Sequence, residues 1–225
     1  MPSVDLRLYD SLLRFPLFQG LSRAELLQLA GQTKFGFQKM EAGQTVVREG
    51  DTCQQLFFLV SGSLSVSTVS DDRRYTVTEQ LADPWLLQPE SLFGAHPQYL
   101  SSIVTLTESH FITLSKDEVI RLLDDFLIIR LNLLNLLATQ SQRRGRWPWR
   151  KSPADLRQRI VRFFLDHSIY PAGFKEFRIL MNQLALEVGD SRLDVSHVLN
   201  AMQTDGLLRL RRGIIDIPSL ERLLM

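Results

Sequence analysis

Apolar residues recur at helical spacing along residues 181–202, are interrupted once, and then resume. The small or apolar positions on either side of the interruption are Leu184, Ala185, Val188, Val195, Val198 and Leu199. Gly189 lies at the interruption and can adopt the positive φ that most residues resist. Ser191 lies where a helix N-cap belongs. The pattern therefore predicts two short helices joined by a glycine-containing turn, as in a helix-turn-helix.

A basic β-hairpin follows these helices. Residues 207–217 predict two short strands that turn at Arg212-Gly213, and Arg211 and Arg212 place positive charge at the turn. The alternative is a plain helical hairpin in a bundle, which has the same apolar spacing. A β-hairpin directly after the second helix is not expected in such a bundle, whereas it is expected in a winged helix-turn-helix. The outward face of that helix carries groups able to donate to phosphates or base edges, namely Ser191, Arg192, His197 and Asn200. We predict a winged helix-turn-helix.

Short strands and turns dominate the first half of the chain. Residues 3–13 predict a helix, and Ser22 with Glu25 predicts a capping box that starts a second one. Runs rich in branched and aromatic residues then predict strands at residues 46–47, 56–60, 64–69, 75–81, 103–107 and 111–114. Many short strands at close spacing predict an antiparallel barrel or sandwich.

Two of these stretches resemble the β-roll of cyclic-nucleotide-binding domains, namely AGQTVVREGD at residues 42–51 and LFFLVSGSLSV at residues 56–66. With a long helix next and a winged helix-turn-helix last, the whole chain resembles the Crp/Fnr transcription regulators. The resemblance implies an α+β fold with an amino-terminal antiparallel β-roll of the double-stranded β-helix (jelly-roll) type. It divides the chain into a sensor domain at residues 1–116, a dimerisation helix and hinge at 117–151, and a DNA-binding domain at 152–225.

The helix predicted at residues 117–143 carries apolar residues on two sides. One stripe contains Phe126, Ile129, Leu133 and Leu136, and the other contains Leu127, Leu131, Leu134 and Ala138. A helix lying on one surface needs only one stripe, so the second predicts a partner helix, such as the same helix of a second chain. A helix buried within a monomer is the alternative. In the resembled family this helix is the dimer interface, and we expect the first stripe to form it.

Positive charge is concentrated between the two halves of the chain. The net charge is +1, but residues 1–142 carry 11 basic against 16 acidic residues, and residues 143–151, RRGRWPWRK, carry five basic and no acidic ones. Pro148 cannot continue a helix, and Ser152-Pro153 predicts the start of the next one. Residues 145–151 are therefore a predicted joint, which corresponds to the family's hinge. Its arginines either contact DNA or form a solvated basic joint.

The effector pocket departs from the family pattern. Family members that bind cyclic nucleotides carry a Gly-Glu pair for the ribose and, shortly after, an arginine that pairs bidentately with the cyclic phosphate. Here Gln88-Pro89 replaces the pair, Leu100 replaces the arginine, and no arginine occurs between Arg74 and Arg121. Glu90 substitutes for the glutamate only under a shifted register. We expect poor cyclic-nucleotide binding. The candidate pocket residues are Gln88, Glu90, Phe93, Leu100, Ser101 and Ser102.

Other sensors of the family use an iron–sulfur cluster or haem. A cluster needs several cysteines, and Cys53 is the only one. His96 and His110 are candidate haem ligands, although a lone histidine is more often a surface residue. Four aromatic residues either line a pocket for an apolar effector or fill the core of the roll, namely Trp85, Phe93, Tyr99 and Phe111. We expect no cofactor and no metal, and the effector is unidentified or absent.

The sequence favours a DNA-binding regulator over an enzyme. It contains no P-loop, metal-ligand spacing or nucleophile motif. The family's base-reading positions correspond to Arg192, Leu193 and His197. The alternative is a small-molecule-sensing module whose helix-turn-helix binds protein. The expected partners are double-stranded DNA, a second copy of the chain and RNA polymerase. The chain lacks a signal-peptide pattern and a membrane-length apolar run, which favours the cytoplasm.

Overall fold

The computed structural model describes residues 3–145, 149 and 151–224, with helices and strands where the sequence predicts most of them. The helices are α1 (Ser3–Leu12), α2 (Arg23–Gln32), α3 (Lys116–Asp125), α4 (Leu127–Gly145), α5 (Leu156–Asp166), α6 (Met181–Val188) and α7 (Arg192–Thr204). The strands are β1 (Gly36–Met40), β2 (Thr45–Val47), β3 (Gln55–Ser61), β4 (Ser63–Val69), β5 (Tyr75–Ala82), β6 (Trp85–Leu87), β7 (Ser102–Thr105), β8 (Ser109–Ser115), β9 (Lys175–Ile179), β10 (Arg209–Arg211) and β11 (Ile214–Ile217). Short 3₁₀ helices lie at Pro16–Phe18, Pro89–Ser91 and Leu220–Leu224. The predicted α+β fold is confirmed.

The described residues form two compact units. The first contains residues up to 64 together with 81–100 and 104–145, and the second contains 65–80, 101–103 and the residues after 146. Residues 65–80, which the sequence places in the sensor domain, thus fold in the same unit as the helix-turn-helix. The predicted domain boundaries at residues 116 and 151 stay a prediction.

The first unit is built on an antiparallel four-stranded sheet in the order β1-β8-β3-β6. Its core packs aromatic rings from β3 against the amino-terminal 3₁₀ helix. Phe58 is fully buried, and its ring centroid lies 5.1 Å from that of Phe15 and 5.4 Å from that of Phe18. The predicted capping box at the start of α2 is present, because Ser22 accepts from the Glu25 backbone and Glu25 accepts from the Ser22 backbone.

The helix predicted at residues 117–143 is two helices, which corrects the prediction of a single one. Phe126 ends α3 in an extended conformation, with its side chain buried. The guanidinium of Arg130 donates to the carbonyl oxygens of Leu123 at 2.6 Å and Asp124 at 3.3 Å. The last carbonyl groups of a helix have no partners within the helix. The Arg130 guanidinium supplies partners for two of them, which stabilises the break between α3 and α4.

The second unit packs α5, α6 and α7 on an antiparallel sheet in which β10, β11, β9 and β5 are neighbours. The predicted wing is present as β10 and β11. The predicted start of α5 is wrong, because Asp155 rather than Ser152 caps it and accepts from the Gln158 backbone at 3.0 Å. The predicted joint at residues 145–151 lies mostly outside the described residues. Among the described helices, none has both the length and the apolar character to cross a membrane.

Candidate nucleic-acid interface

The turn between α6 and α7 follows directly from its local sequence. Gly189 ends α6 at φ 66°, and the Asp190 N–H donates to the Ala185 carbonyl oxygen at 3.0 Å, as expected of a glycine-terminated helix. Ser191 then caps α7 by accepting from the Asp194 backbone at 3.1 Å. The Ser191 hydroxyl also donates to the Asp194 carboxylate at 2.6 Å. The amino-terminal end of α7 is therefore held at a defined angle to α6.

One face of α7 is fixed in the core of the second unit. The buried residues that join α6 to α7 are Leu184, Ala185, Val188, Val195, Leu199 and Met202. The opposite face is open, since Arg192, His197 and Leu193 are all exposed, the last at 64% of its full area. The structure thus brings Ser191, Arg192, Leu193 and His197 together on one accessible surface, which we call the reading face.

Asn200 is less available than the other predicted contact residues. Its side-chain amide donates to the Ser196 carbonyl oxygen of the preceding turn at 2.8 Å. This hydrogen bond keeps the amide nitrogen on the helix itself. A contact from that nitrogen to a base edge would require the bond to break, whereas the amide oxygen is not used in it.

The wing holds one arginine in ion pairs and leaves another free of them. The Arg211 guanidinium donates to both Asp216 carboxylate oxygens, at 2.7 and 2.8 Å, and to Glu176 at 3.0 Å. The hydrogen bonds to Asp216 raise the pKa of Arg211 above its usual value. Arg212 is exposed at the turn between β10 and β11. Within the described residues, Arg212 is therefore better placed than Arg211 to meet a phosphate.

The candidate effector residues fall in both units. In the first unit, the Gln88 side-chain oxygen accepts from the Leu100 N–H at 2.7 Å, and Gln88 has φ 37°. Glu90 lines a cleft of 530 Å³ with the end of α4, where the other lining residues are Leu137, Gln140, Ser141 and Gly145. Ser101 and Ser102 belong to the second unit, and the buried Ser101 hydroxyl lies 2.7 Å from that of Thr68.

The surroundings of Phe93 and Cys53 are defined by a cation–π contact and by burial, respectively. The Lys116 ammonium lies over the Phe93 ring, 5.2 Å from its centroid. Burial raises the pKa of the Cys53 thiol, so little of the reactive thiolate forms at neutral pH.

Tyr99 and Phe111 are buried core residues, which supports the core interpretation for these two aromatic rings. Within the described ranges, no three His, Cys, Asp or Glu side chains are grouped as a metal site.

The stripe predicted to form a dimer interface packs inside the first unit instead. Phe126, Ile129 and Leu133 are buried at 4%, 1% and 4% exposure, and Leu136 is half-buried. The protomer's own core therefore covers three of the four residues of this stripe. The second stripe remains on the surface, with exposed side chains at Leu127, Leu131 and Leu134.

Two family models match the chain in the order that the fold suggests. A cyclic nucleotide-binding domain model matches residues 37–126, and a Crp-like helix-turn-helix domain model matches residues 158–225. The cyclic AMP receptor protein of Thermus thermophilus is 26% identical over 207 residues, which make up 90% of this chain and 92% of that protein. The chain belongs to the Crp/Fnr family.

Solved structures show that the fold of this Crp/Fnr protein is shared. The catabolite activator protein of Thermus thermophilus has a TM-score of 0.54 at 23% identity, over 93% of this chain and 97% of that chain. A Crp/Fnr family transcriptional regulator from Eubacterium rectale has a TM-score of 0.52 at 21% identity, over 94% and 97%. The family assignment makes the chain a DNA-binding transcription regulator, which is a non-enzymatic role.

Sequence reasoning missed a positioning residue of this Crp/Fnr protein. From α5, the Arg159 guanidinium donates to the carbonyl oxygens of Val188 at 3.0 Å and Ala154 at 2.8 Å, and it pairs with the Asp190 carboxylate. Asp190 in turn accepts from the Ser191 N–H at 2.7 Å. Arg159 therefore ties the start of α5 to the turn that orients α7. The sequence carries no signal for these partners, because they become neighbours only when α5 packs on α6.

We expect Arg159→Ala to lower the free energy of unfolding by about 2 kcal/mol, since hydrogen bonds to charged groups contribute about 1.5–3 kcal/mol each. DNA affinity should also fall on all sequences alike, because the turn before α7 loses its support. Urea unfolding and fluorescence anisotropy with labelled DNA measure the two effects.

Arg157→Ala is the matched control on the same helix. Arg157 is exposed and pairs with Asp205 at 3.4 Å, and exposed pairs contribute about 0–1 kcal/mol. Equal losses in the two variants would contradict the positioning role of Arg159.

Proposed function

We propose that the chain is a sequence-specific transcriptional regulator that binds a palindromic operator as a homodimer and does not respond to cyclic nucleotides. The observation that carries this proposal is the reading face, in which Arg192, Leu193 and His197 are exposed while the opposite face of α7 is buried. As a DNA-binding regulator it would act in the cytoplasm and contact RNA polymerase. Its effector is a small molecule of another class, or none.

Arg192 is the strongest candidate for direct base recognition. It lies in the first turn of α7 and is exposed, and its side chain has no hydrogen bond or ion pair to another described residue. An arginine in the major groove can bind guanine O6 and N7 together. Leu193 beside it offers an apolar surface that suits a thymine methyl group. The half-site is therefore expected to contain a guanine next to a position that prefers thymine.

The exposed stripe of α4 supports a dimer of two copies of this chain. Leu127, Leu131 and Leu134 are spaced three and four residues apart and are all exposed. Such spacing forms one apolar seam along a helix, and a second copy of the same helix presents the same seam by two-fold symmetry. Two α7 helices related in this way would enter major grooves one helical turn apart, about 34–36 Å.

The pocket region supports an effector other than a cyclic nucleotide. The Gln88 side chain is bonded to the Leu100 backbone, and Leu100 stands where the family arginine would pair with phosphate. Glu90 and the Gln140 amide oxygen face the cleft beside α4, and the latter has no hydrogen-bond partner among the described residues. Oxygen acceptors suit a ligand that donates hydrogen bonds better than they suit a phosphodiester.

A second candidate function is protein recognition by the helix-turn-helix. Leu180, Leu186 and Leu193 are exposed at 67%, 71% and 64%, which is a large apolar surface for two short helices. Selection of bound sequences from a random DNA pool separates the two functions, because a protein-recognition module would enrich no sequence.

We expect Arg192→Ala to weaken binding to the selected site by about 1–3 kcal/mol and to relax the base preference at one position. Arg212→Ala is the comparison, since a phosphate contact from the wing should weaken binding to all sequences by a similar factor. Anisotropy titrations on the selected site and its single-base variants measure both. Uniform weakening by Arg192→Ala would contradict base recognition.

We expect Leu131→Glu to convert a dimer into a monomer and to abolish high-affinity operator binding, because it buries an unpaired charge at the seam. Leu27→Glu is the matched control, since Leu27 is a similarly exposed leucine on α2. Light scattering at micromolar concentration measures the mass. A monomeric wild-type chain that still binds the palindrome with full affinity would exclude the dimer.

We expect calorimetry to detect no binding of cyclic AMP or cyclic GMP at tens of micromolar. Loss of a bidentate arginine–phosphate pair removes hydrogen bonds of about 1.5–3 kcal/mol each, which corresponds to a hundredfold or more in affinity. Lys116 is engaged over Phe93, so it does not replace the arginine. A low-micromolar dissociation constant accompanied by tighter DNA binding would overturn this expectation.

A further inference from the structure

The winged-helix sheet of the second unit contains a strand from outside the helix-turn-helix region. Strand β5 pairs antiparallel with β9, from Tyr75 opposite Ile179 to Glu79 opposite Lys175. Residues 75–79 lie inside the stretch matched by the cyclic nucleotide-binding model, whereas β9 lies inside the stretch matched by the Crp-like helix-turn-helix model. The edge of β9 is thus a docking surface that β5 occupies.

Alternate residues of β5 point into the core beneath the reading face. Val77 is buried in the same hydrophobic cluster as Val195 and Leu199 of α7. The Tyr75 ring meets the edge of the Phe163 ring at 5.7 Å between centroids. Burial raises the pKa of Tyr75 to about 12. Alternation along the strand places Glu79 on this same inward face.

The Glu79 carboxylate is surrounded by one ammonium group and two backbone N–H donors. Its side chain is 2% exposed, and one oxygen lies 2.9 Å from the ammonium of Lys175, which has no exposed surface at all. The carboxylate also accepts from the backbone N–H groups of Ile169 at 2.7 Å and Tyr170 at 3.4 Å. The Lys175 ammonium further donates to the Ala172 carbonyl oxygen at 2.8 Å. Every one of these partners belongs to the second unit.

We infer that Lys175 and the Ile169 and Tyr170 N–H groups form a carboxylate-binding site whose ligand is Glu79, and that this site fixes the docking and register of β5. A shift of one residue would turn Glu79 to the opposite face of the sheet. A shift of two would place Val77 or Leu81 opposite Lys175 and leave a buried ammonium without its partner. Only the observed register satisfies both charges.

This inference bears on DNA binding through the shared core, and in that respect it rests on the proposed function. Docked β5 contributes Val77 to the cluster that holds α7, so loss of this docking would leave α7 less firmly supported. Loss of docking should therefore weaken binding to all DNA sequences alike, unlike the loss of Arg192, which should change the base preference.

Hydrogen exchange on the full chain tests the docking directly. We expect Glu79→Gln, which keeps the shape and removes the charge, to speed amide exchange at least tenfold in both β5 and β9. The charge-reversed double variant Glu79→Lys/Lys175→Glu should not restore protection, because a lysine at position 79 would meet two N–H donors. Unchanged exchange in Glu79→Gln would overturn the inference, and so would wild-type protection in the reversed pair.

Asp205→Asn is the matched control for charge removal in the same unit, since its pair with Arg157 is exposed and should leave exchange unchanged. A cross-link keeps the inference testable if Glu79→Gln folds poorly. In a Cys53→Ala background, Thr76→Cys/Arg178→Cys joins register partners and should oxidise to a disulfide with diamide. Thr76→Cys/Glu176→Cys is two residues out of register and should not. Equal yields from the two pairs would overturn the fixed register.

The two proposals can fail separately. If the wild-type chain selects no DNA sequence, the proposed function fails, while hydrogen exchange and cross-linking still decide whether β5 is docked through Glu79. If Glu79→Gln loses protection and weakens all DNA sequences by one factor, both proposals are supported.

Discussion

The buried ammonium of Lys175 is the constraint on which the second unit depends. A charged group without exposed surface is tolerated only when it is paired and its hydrogen bonds are satisfied, since the desolvation penalty is otherwise large. Here the ammonium is paired with Glu79 and donates a further hydrogen bond to the Ala172 carbonyl oxygen. Lys175 lies on β9 and Glu79 lies on β5. The need of the Lys175 ammonium for a carboxylate partner therefore favours β5 as the neighbour of β9.

The docked strand places α7 on a core that is larger than the helix-turn-helix itself. The α7 residues Val195 and Leu199 share that core with Phe177 of β9 and Val77 of β5. Arg159 adds a polar tie at the other end, where it holds the turn before α7. The reading face is therefore oriented from two sides, by apolar packing beneath α7 and by a guanidinium at its start.

The first unit matches the cyclic nucleotide-binding domain model, and its sequence departs from the family pattern at residues 88–89 and 100. Gln88 adopts a left-handed conformation, which is uncommon for residues other than glycine, and its side chain bonds to the backbone at Leu100. This hydrogen bond links the two positions at which the sequence departs from the family pattern. Oxygen acceptors line the neighbouring cleft beside α4. The fold is therefore retained, whereas the residues at these positions differ from the family pattern.

Local sequence by itself determined the helix-turn-helix, the wing and most of the strands, because each depends on nearby residues. Gly189 and Ser191 end one helix and begin the next through backbone geometry and a single cap. The sequence also showed two apolar stripes along residues 117–143, but only tertiary packing decided that Phe126, Ile129 and Leu133 lie inside the protomer. It likewise took the folded chain to show that Arg211 is paired with Asp216 and that Asn200 bonds to its own helix.

The Glu79–Lys175 pair shows what the sequence pattern of each strand indicates and what only the pairing of the two strands decides. Alternation along each strand places a single charged residue on an otherwise apolar face, Glu79 beside Val77 and Lys175 beside Phe177, and the charges are opposite. That signal was present in the sequence for each residue separately. The sequence did not show that Glu79 would pair with Lys175, because this contact forms only when β5 and β9 lie side by side. Pairing between strands that are distant in sequence depends on the shape and burial of the whole unit rather than on a local pattern.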